Sequence, residues 1–183
     1  MTVPGGIGPW LPVVAVSVAT LPVAYPVYRA RVRRTVRRGV PDAVARRRAL
    51  AEVGMVAGTA PWLWMILTPV APAGRELRAV PLVDLVDVLA GGGLTAFFQV
   101  VGNLLVFAAF GLFAPLRWSI GARAVTLAAA GASVVVEGLQ YALALGRVTS
   151  VDDVLLNAAG AGLAAVLSRR LVIAAAAAAP ASA

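Results

Sequence analysis

The chain has no cysteine, no histidine and no lysine among its 183 residues. Without the first two there are no disulfides, thiol nucleophiles or imidazole bases, and none of the usual zinc or haem sites. A metal would have to be a hard cation held by carboxylate oxygens, and no metal or cofactor is expected. Charge is also scarce. Only 13% of residues are ionised, against about 25% in soluble domains. Hydrophobic residues make up 61% of the chain and the mean hydropathy is +0.89. These values belong to the membrane class. A basic n-region ahead of the first apolar stretch is missing too, which argues against a cleaved signal peptide.

What is present is a set of long apolar runs. Crossing the hydrocarbon core takes about 20 mostly apolar residues in a helix. Five stretches qualify, at about residues 10–28, 49–70, 98–116, 124–145 and 154–173. The predicted fold class is therefore an all-α, polytopic membrane helix bundle of about five transmembrane helices. Pro12, Pro22 and Pro26 predict a kinked or frayed end to the first. The expected organisation is a first span and basic loop over 1–48, a membrane domain over 49–173, and a disordered alanine-rich tail over 174–183.

The net charge is +8 and all of the cations are arginine. Nine of the sixteen arginines fall within residues 29–48. Such a block can mark a nucleic-acid partner, but beside an apolar span it marks a loop facing anionic lipid, and no nucleic acid is expected. With alternating spans, the segments 29–48 and 117–123 and the pair Arg169 and Arg170 share one side, with thirteen arginines. The other side carries Arg75, Arg78 and Arg147 against five carboxylates. The positive-inside rule then predicts a multi-pass cell-membrane protein with its N-terminus outside and its C-terminus cytoplasmic.

The outer segment 71–97 is long for a structureless connection. Within it, Leu82, Leu85, Val86 and Leu89 fall on one helical face, with Asp84 and Asp87 elsewhere. A short interfacial helix fits this pattern, a re-entrant segment being the alternative. The glycines at 91–93 let the chain turn into the next span.

Charge inside a span costs about 2.5–3.5 kcal/mol on insertion scales. Glu137 nevertheless lies ~13 Å below the outer end of the fourth span, with Gln140 and Tyr141 following on the same face. After a tight turn at Gly146, Asp153 and Asn157 repeat at i and i+4, continued by Gly160. Helical rise puts Asn157 and Gln140 both ~9 Å deep and Asn103 of the third span ~8 Å deep. Lipid cannot satisfy these groups, so they should converge inward on an outward-facing cavity. Arg147 would stand at its mouth as a phosphate or carboxylate donor.

Each residue also has a plainer reading. Ser150 to Asp153 fits a capping box, and the helix dipole favours Asp152 and Asp153 there in any case. Asn103, Gln140 and Asn157 can bond helices together. Arg147 can anchor the interface. Glu52 can pair with Arg48 four residues earlier. Gly131, Gly138, Gly160 and Gly162 read as packing positions. Glu137 has the weakest structural explanation, because a buried acid is costly glue.

Three motifs, "GNLLVFAAFG" (102–111), "VVVEGLQ" (134–140) and "GRVTSVDDVLLNAAGAG" (146–162), together resemble the VanZ-like family, and "LRAVPLVDL" (77–85) resembles its outer-loop segment. The family pattern N-x-L-x-F…G, E-x-x-Q and R…D-D-x-x-x-N-x-x-G maps onto Asn103, Glu137, Gln140, Arg147, Asp152, Asp153, Asn157 and Gly160. The likeness spans about 49–173. It departs at Ala109, where the family often has proline. The resemblance implies a bacterial envelope protein of the glycopeptide, teicoplanin-type resistance group, and implies no mechanism.

The leading expectation is a binding module. Asn103, Glu137, Gln140, Arg147, Asp152, Asp153 and Asn157 would engage an anionic or amphipathic envelope ligand, such as a polyprenyl-linked or lipoteichoic precursor or a lipoglycopeptide. The expected partners are that ligand and membrane lipids, with a homo-oligomer compatible. An intramembrane enzyme would use Glu137 as general base and Asp153 as metal or acid partner. It lacks a nucleophile, since Ser133 and Ser150 have no base beyond Glu137. A proton-coupled transporter through Glu137 is the third class; five spans without an inverted repeat weigh against it.

Overall fold

The computed structural model describes residues 11–70 and 72–177. The start of the first predicted span at Trp10 and residues 178–183 of the predicted tail lie outside them. In chain order the elements are α1 (Leu11–Arg37), α2 (Asp42–Leu67), β1 (Gly74–Arg78), α3 (Val83–Gly91), α4 (Gly93–Val106), α5 (Ala108–Trp118), α6 (Ala122–Ala142), β2 (Leu145–Ser150) and α7 (Val151–Ala177). Among the described residues, five helical stretches are long and apolar enough to cross a membrane: α1, α2, the α4–α5 unit over Ala96–Trp118, α6, and α7 over Val151–Ala174. The chain is an all-α, multi-pass membrane bundle carrying one small two-stranded ribbon.

Several boundaries differ from the sequence expectation. Residues 29–48 are not a loop. α1 continues as helix through Pro22, Pro26 and five arginines to Arg37, and only a four-residue turn at Gly39 (φ +84°) separates it from α2. The predicted fraying at its prolines does not occur. α2 stops where Pro69 forces the preceding Thr68 into an extended conformation (φ −76°, ψ 126°). The third span is interrupted at Phe107 (φ −110°, ψ 11°) although Ala109 stands where the family has proline. α7 runs on to Ala177, so the first residues of the predicted tail are helical.

α7 is the central helix, packed against α4, α5 and α6, while α1 lies outermost on α2. The core is built from small side chains: Ala114, Ala129, Ala161 and Ala165 beside Val106, Val125 and Val136. Small residues let backbones approach, which is how helices associate where lipid removes any hydrophobic drive. The approach is closest on either side of the Phe107 break. A Cβ on Gly160 would collide with the carbonyl of Leu104, and one on Gly111 with the carbonyl of Ala161. Gly162 is packed on Thr126, whereas Gly131 and Gly138, expected as packing positions, have nothing within 4 Å.

The two ends of the bundle differ in charge. At one end Glu52 accepts from Arg117 Nε at 2.7 Å and from Arg31 Nε at 2.8 Å, tying α1, α2 and α5 together. Arg48, its expected partner, is not used. At the other end β1 and β2 pair in parallel, with Glu76 opposite Val148 and Arg78 opposite Ser150. The ribbon continues upstream through Val70, whose N–H donates to Leu145 O at 2.9 Å. Gly146 takes a positive φ of 71° and lies against the carbonyls of Val70 and Pro72, leaving no room for a Cβ.

The glycine contacts give a direct test. Gly111→Ala and Gly160→Ala should each cost about 1–3 kcal/mol through overpacking against a carbonyl. Gly131→Ala and Gly138→Ala should cost nothing and gain a little helix propensity. Thermal unfolding of the purified protein in detergent separates the two pairs; equal behaviour would contradict the packing described.

Candidate functional site: a polar cavity at the ribbon end

The site is created by the path of the chain after α6. Residues 145–150 do not form a tight turn at the end of the bundle. They run back beside the last turns of α6 as β2, and α7 starts only at Val151. Thr149 Oγ1 donates to the main-chain carbonyl of Glu137 at 3.4 Å, and the Ser150 N–H donates to Glu137 Oε2 at 3.2 Å. The N-terminus of α7 is thereby held level with Glu137, roughly 7–8 Å inside the end of α6 at 1.5 Å per residue.

Helix capping follows from this depth. Ser150 Oγ accepts from the Asp152 N–H at 3.2 Å, as an N-cap residue does. The reciprocal half of the predicted capping box is replaced: Glu137, not Asp153, takes the Ser150 N–H. Asp153 is released to accept from Asn103 Nδ2 of α4.

Asp152 faces away from this site. Its carboxylate is 2% exposed and accepts from the N–H groups of Leu82 and Leu85, at 2.6 and 2.8 Å. It caps the first turn of α3 rather than its own helix, and it is absent from the cavity wall. The short outer helix expected from the leucine spacing is α3, with Val83, Val86 and Leu89 exposed and Asp84 buried against Arg78 Nη1 at 2.6 Å. On the ribbon beside it, Arg78 is pushed further above its ordinary basicity by its hydrogen bond to Glu76 and by the charge of Asp84.

The other six predicted residues line one cavity of about 470 Å³. α2 contributes an apolar wall of Trp62, Met65 and Ile66, and α4 contributes Phe98, Gln99 and Asn103. Glu137 and Gln140 come from α6, Arg147 from β2, and Asp153 and Asn157 from α7. Gln140 Nε2 donates to Ile66 O at 3.1 Å. Arg147 donates through Nη2 to Met65 O at 3.0 Å and through Nε to Thr68 O at 3.4 Å, capping the C-terminus of α2. Burial holds its guanidinium below its ordinary basicity, while the charge of Glu137 acts in the opposite direction.

Depths differ from expectation, and because α6 ends at Ala142, Glu137 and Gln140 lie nearer its end than the sequence implied. Asn157 is not level with Gln140 but donates to Ser133 Oγ at 2.7 Å, about two helical turns deeper along α6. The polar groups therefore form a column, not a single layer. Arg147 and Gln140 stand at the top, Glu137, Asp153 and Asn103 in the middle, and Asn157 at the bottom. Asn157 is 1% exposed, and its Oδ1 has no hydrogen-bond partner among the described residues. Such an orphaned acceptor is uncommon and marks a place where a donor is wanted.

The profile of the VanZ/LLP1 family matches residues 55–173. The chain belongs to the VanZ/LLP1 family. No curated protein and no solved structure matches it. Every lining residue of the cavity falls within the VanZ/LLP1 region, whereas α1 and the first nine arginines precede it.

Sequence reasoning missed three participants. Gln99 was legible, being four residues before Asn103 on one helical face. Ser133, weighed above only as a nucleophile, was legible by the same spacing from Glu137, whereas Arg75 was not. Arg75 of β1 donates to Tyr141 O at 3.0 Å and Ala142 O at 3.1 Å, closing the C-terminus of α6, a role that depends on the unforeseen ribbon.

Asp152→Ala should remove the cap of α3 at a cost of about 1–2 kcal/mol. Hydrogen exchange should then accelerate across residues 82–91 and remain slow in α6 and in α7 beyond its first turn. Unchanged exchange at 82–91 would mean that α3 is held by something other than Asp152.

Proposed function

We propose that this VanZ/LLP1 protein is a binding module whose cavity takes the anionic, hydroxyl-bearing head of an amphipathic envelope molecule. The observation that carries this reading is the orphaned Asn157 Oδ1 at the base of a polar cavity whose top bears a guanidinium. A hydroxyl or amide N–H on the ligand supplies the donor that Asn157 lacks, and a phosphate or carboxylate meets Arg147. The wall of Trp62, Met65 and Phe98 accommodates apolar portions. Polyprenyl-linked sugar phosphates, lipoteichoic precursors and lipoglycopeptides share this chemistry. Family membership supports a contribution to glycopeptide, teicoplanin-type resistance. The arginine end is cytoplasmic by the positive-inside rule, so the cavity opens to the cell exterior.

Glu137 separates binding from catalysis. In Glu137→Gln the amide oxygen can still accept the Ser150 N–H, so the N-terminus of α7 keeps its partner. Glu137→Ala leaves that buried donor unsatisfied, at about 1–3 kcal/mol. Teicoplanin susceptibility of cells expressing each variant, normalised to protein in the membrane, should be partly protected with Gln and unprotected with Ala. Arg147→Ala should likewise lose protection while Arg123→Ala keeps it. Complete loss with Gln at normal abundance would favour acid–base chemistry over binding.

Topology is checked independently, since the chain has no native cysteine. An impermeant maleimide applied to intact cells should label Gly92→Cys and leave Arg38→Cys unlabelled. The reverse pattern would turn the cavity to the cytoplasm.

A further inference from the structure

A second site lies at the arginine end, outside the family-matched region. Between α1 and the start of α2 is a groove of about 540 Å³ whose wall includes Tyr25, Tyr28, Arg29, Arg33, Arg37 and Arg46. Arg29, Arg33 and Arg37 repeat every four residues and stack along one face of α1. Like charges at this spacing repel and weaken a helix, yet α1 remains helical through all three. The groove has one carboxylate, Asp42, and it is engaged by Arg46 Nε at 2.5 Å. Arg29, Arg33 and Arg37 make no ion pair among the described residues. Arg29 instead donates to the Tyr25 hydroxyl at 2.9 Å, its guanidinium 5.8 Å from the centre of that ring.

Position along α1 indicates what neutralises these charges. The apolar part of the helix, from Leu11 to Val27, is ~25 Å long, close to the thickness of a hydrocarbon core. The two tyrosines therefore fall at the interface, where their amphipathic rings are favoured, and the arginines fall among headgroups. Arg29 to Arg37 extends ~12 Å along the axis, more than a single phosphate can bridge. We propose that this groove binds an anionic phospholipid carrying two phosphates, of the diphosphatidylglycerol (cardiolipin) type, whose phosphates neutralise the Arg29, Arg33 and Arg37 ladder. Basic pockets between membrane helices suit such headgroups.

The full-length protein in nanodiscs, titrated with cardiolipin in a phosphatidylcholine background and read by native mass spectrometry, tests this. The double variant Arg33→Gln/Arg37→Gln should weaken binding about thirtyfold, the share of two guanidiniums at a lipid surface. Arg47→Gln/Arg48→Gln removes the same charge outside the groove and should change binding by less than about threefold. Both variants are checked for an unchanged unfolding temperature; if the groove variant melts early, Arg33→Lys/Arg37→Lys is used and should restore cardiolipin binding. Equal losses in the groove and control variants would reduce the site to general basicity. Phosphatidylglycerol binding as tight as cardiolipin would overturn the two-phosphate assignment. Displacement of the lipid by inorganic pyrophosphate at equal concentration would assign the site to a soluble anion.

Discussion

The structure depends on one constraint: helix ends inside an apolar bundle must find partners for their unpaired amides and carbonyls. The chain begins α7 well below the end of α6, and the consequences propagate from there. Glu137 and Ser150 supply the first partners to the buried backbone. β1 and β2 pair with each other, so the extended segment leading to α7 has its own ladder. Each strand then contributes an arginine to a neighbouring helix terminus, Arg75 to α6 and Arg147 to α2. Asp152 does the same for α3 from the opposite direction. Three of the polar residues that define the cavity, Glu137, Gln140 and Arg147, also close the backbone around it.

This dual role separates what the sequence reveals from what it conceals. The five spans are visible because each is a long local run, and α3 because its leucines repeat at helical spacing. Four of the cavity residues, Asn103, Glu137, Gln140 and Asn157, are equally visible, since a charged or amide side chain within a span has few explanations, and Arg147 and Asp153 border those spans. The ribbon is not visible. "GRELR" and "LGRVTS" are short, lack alternation and lie 71 residues apart, and a two-stranded sheet has little stability without its surroundings. Missing it placed Asn157 too high and left Asp152 capping the wrong helix. The Glu52 partners were missed for a related reason: Arg48 is near in sequence, whereas Arg31 and Arg117 are near only after α1 and α5 have packed on α2.

Two regions of the molecule handle charge in opposite ways. In the cavity, Arg147 faces Glu137 and Asp153 within a mixed wall of amides and apolar side chains, an arrangement suited to discriminating among polar heads. In the arginine groove, cations repeat along one helix with a single carboxylate nearby, an arrangement that selects for charge and spacing more than for shape. The first lies in the VanZ/LLP1 region and the second ahead of it. The proposed head-group cavity and the proposed lipid groove thus lie on different lengths of chain.

The glycine contacts between the central helices have a genetic consequence. At Gly111 and Gly160 the neighbouring group is a main-chain carbonyl, of Ala161 and of Leu104. A bulkier residue at either position cannot be accommodated by trimming the opposing side chain, because every amino acid carries the same carbonyl. Gly54 and Gly58 differ, since they face the ring of Phe113 and the methyl of Ala109, both of which can be exchanged for something smaller. Reversion screens should therefore recover second-site suppressors at 113 and 109 for lesions at 54 and 58. For lesions at 111 and 160 they should return only the original glycine.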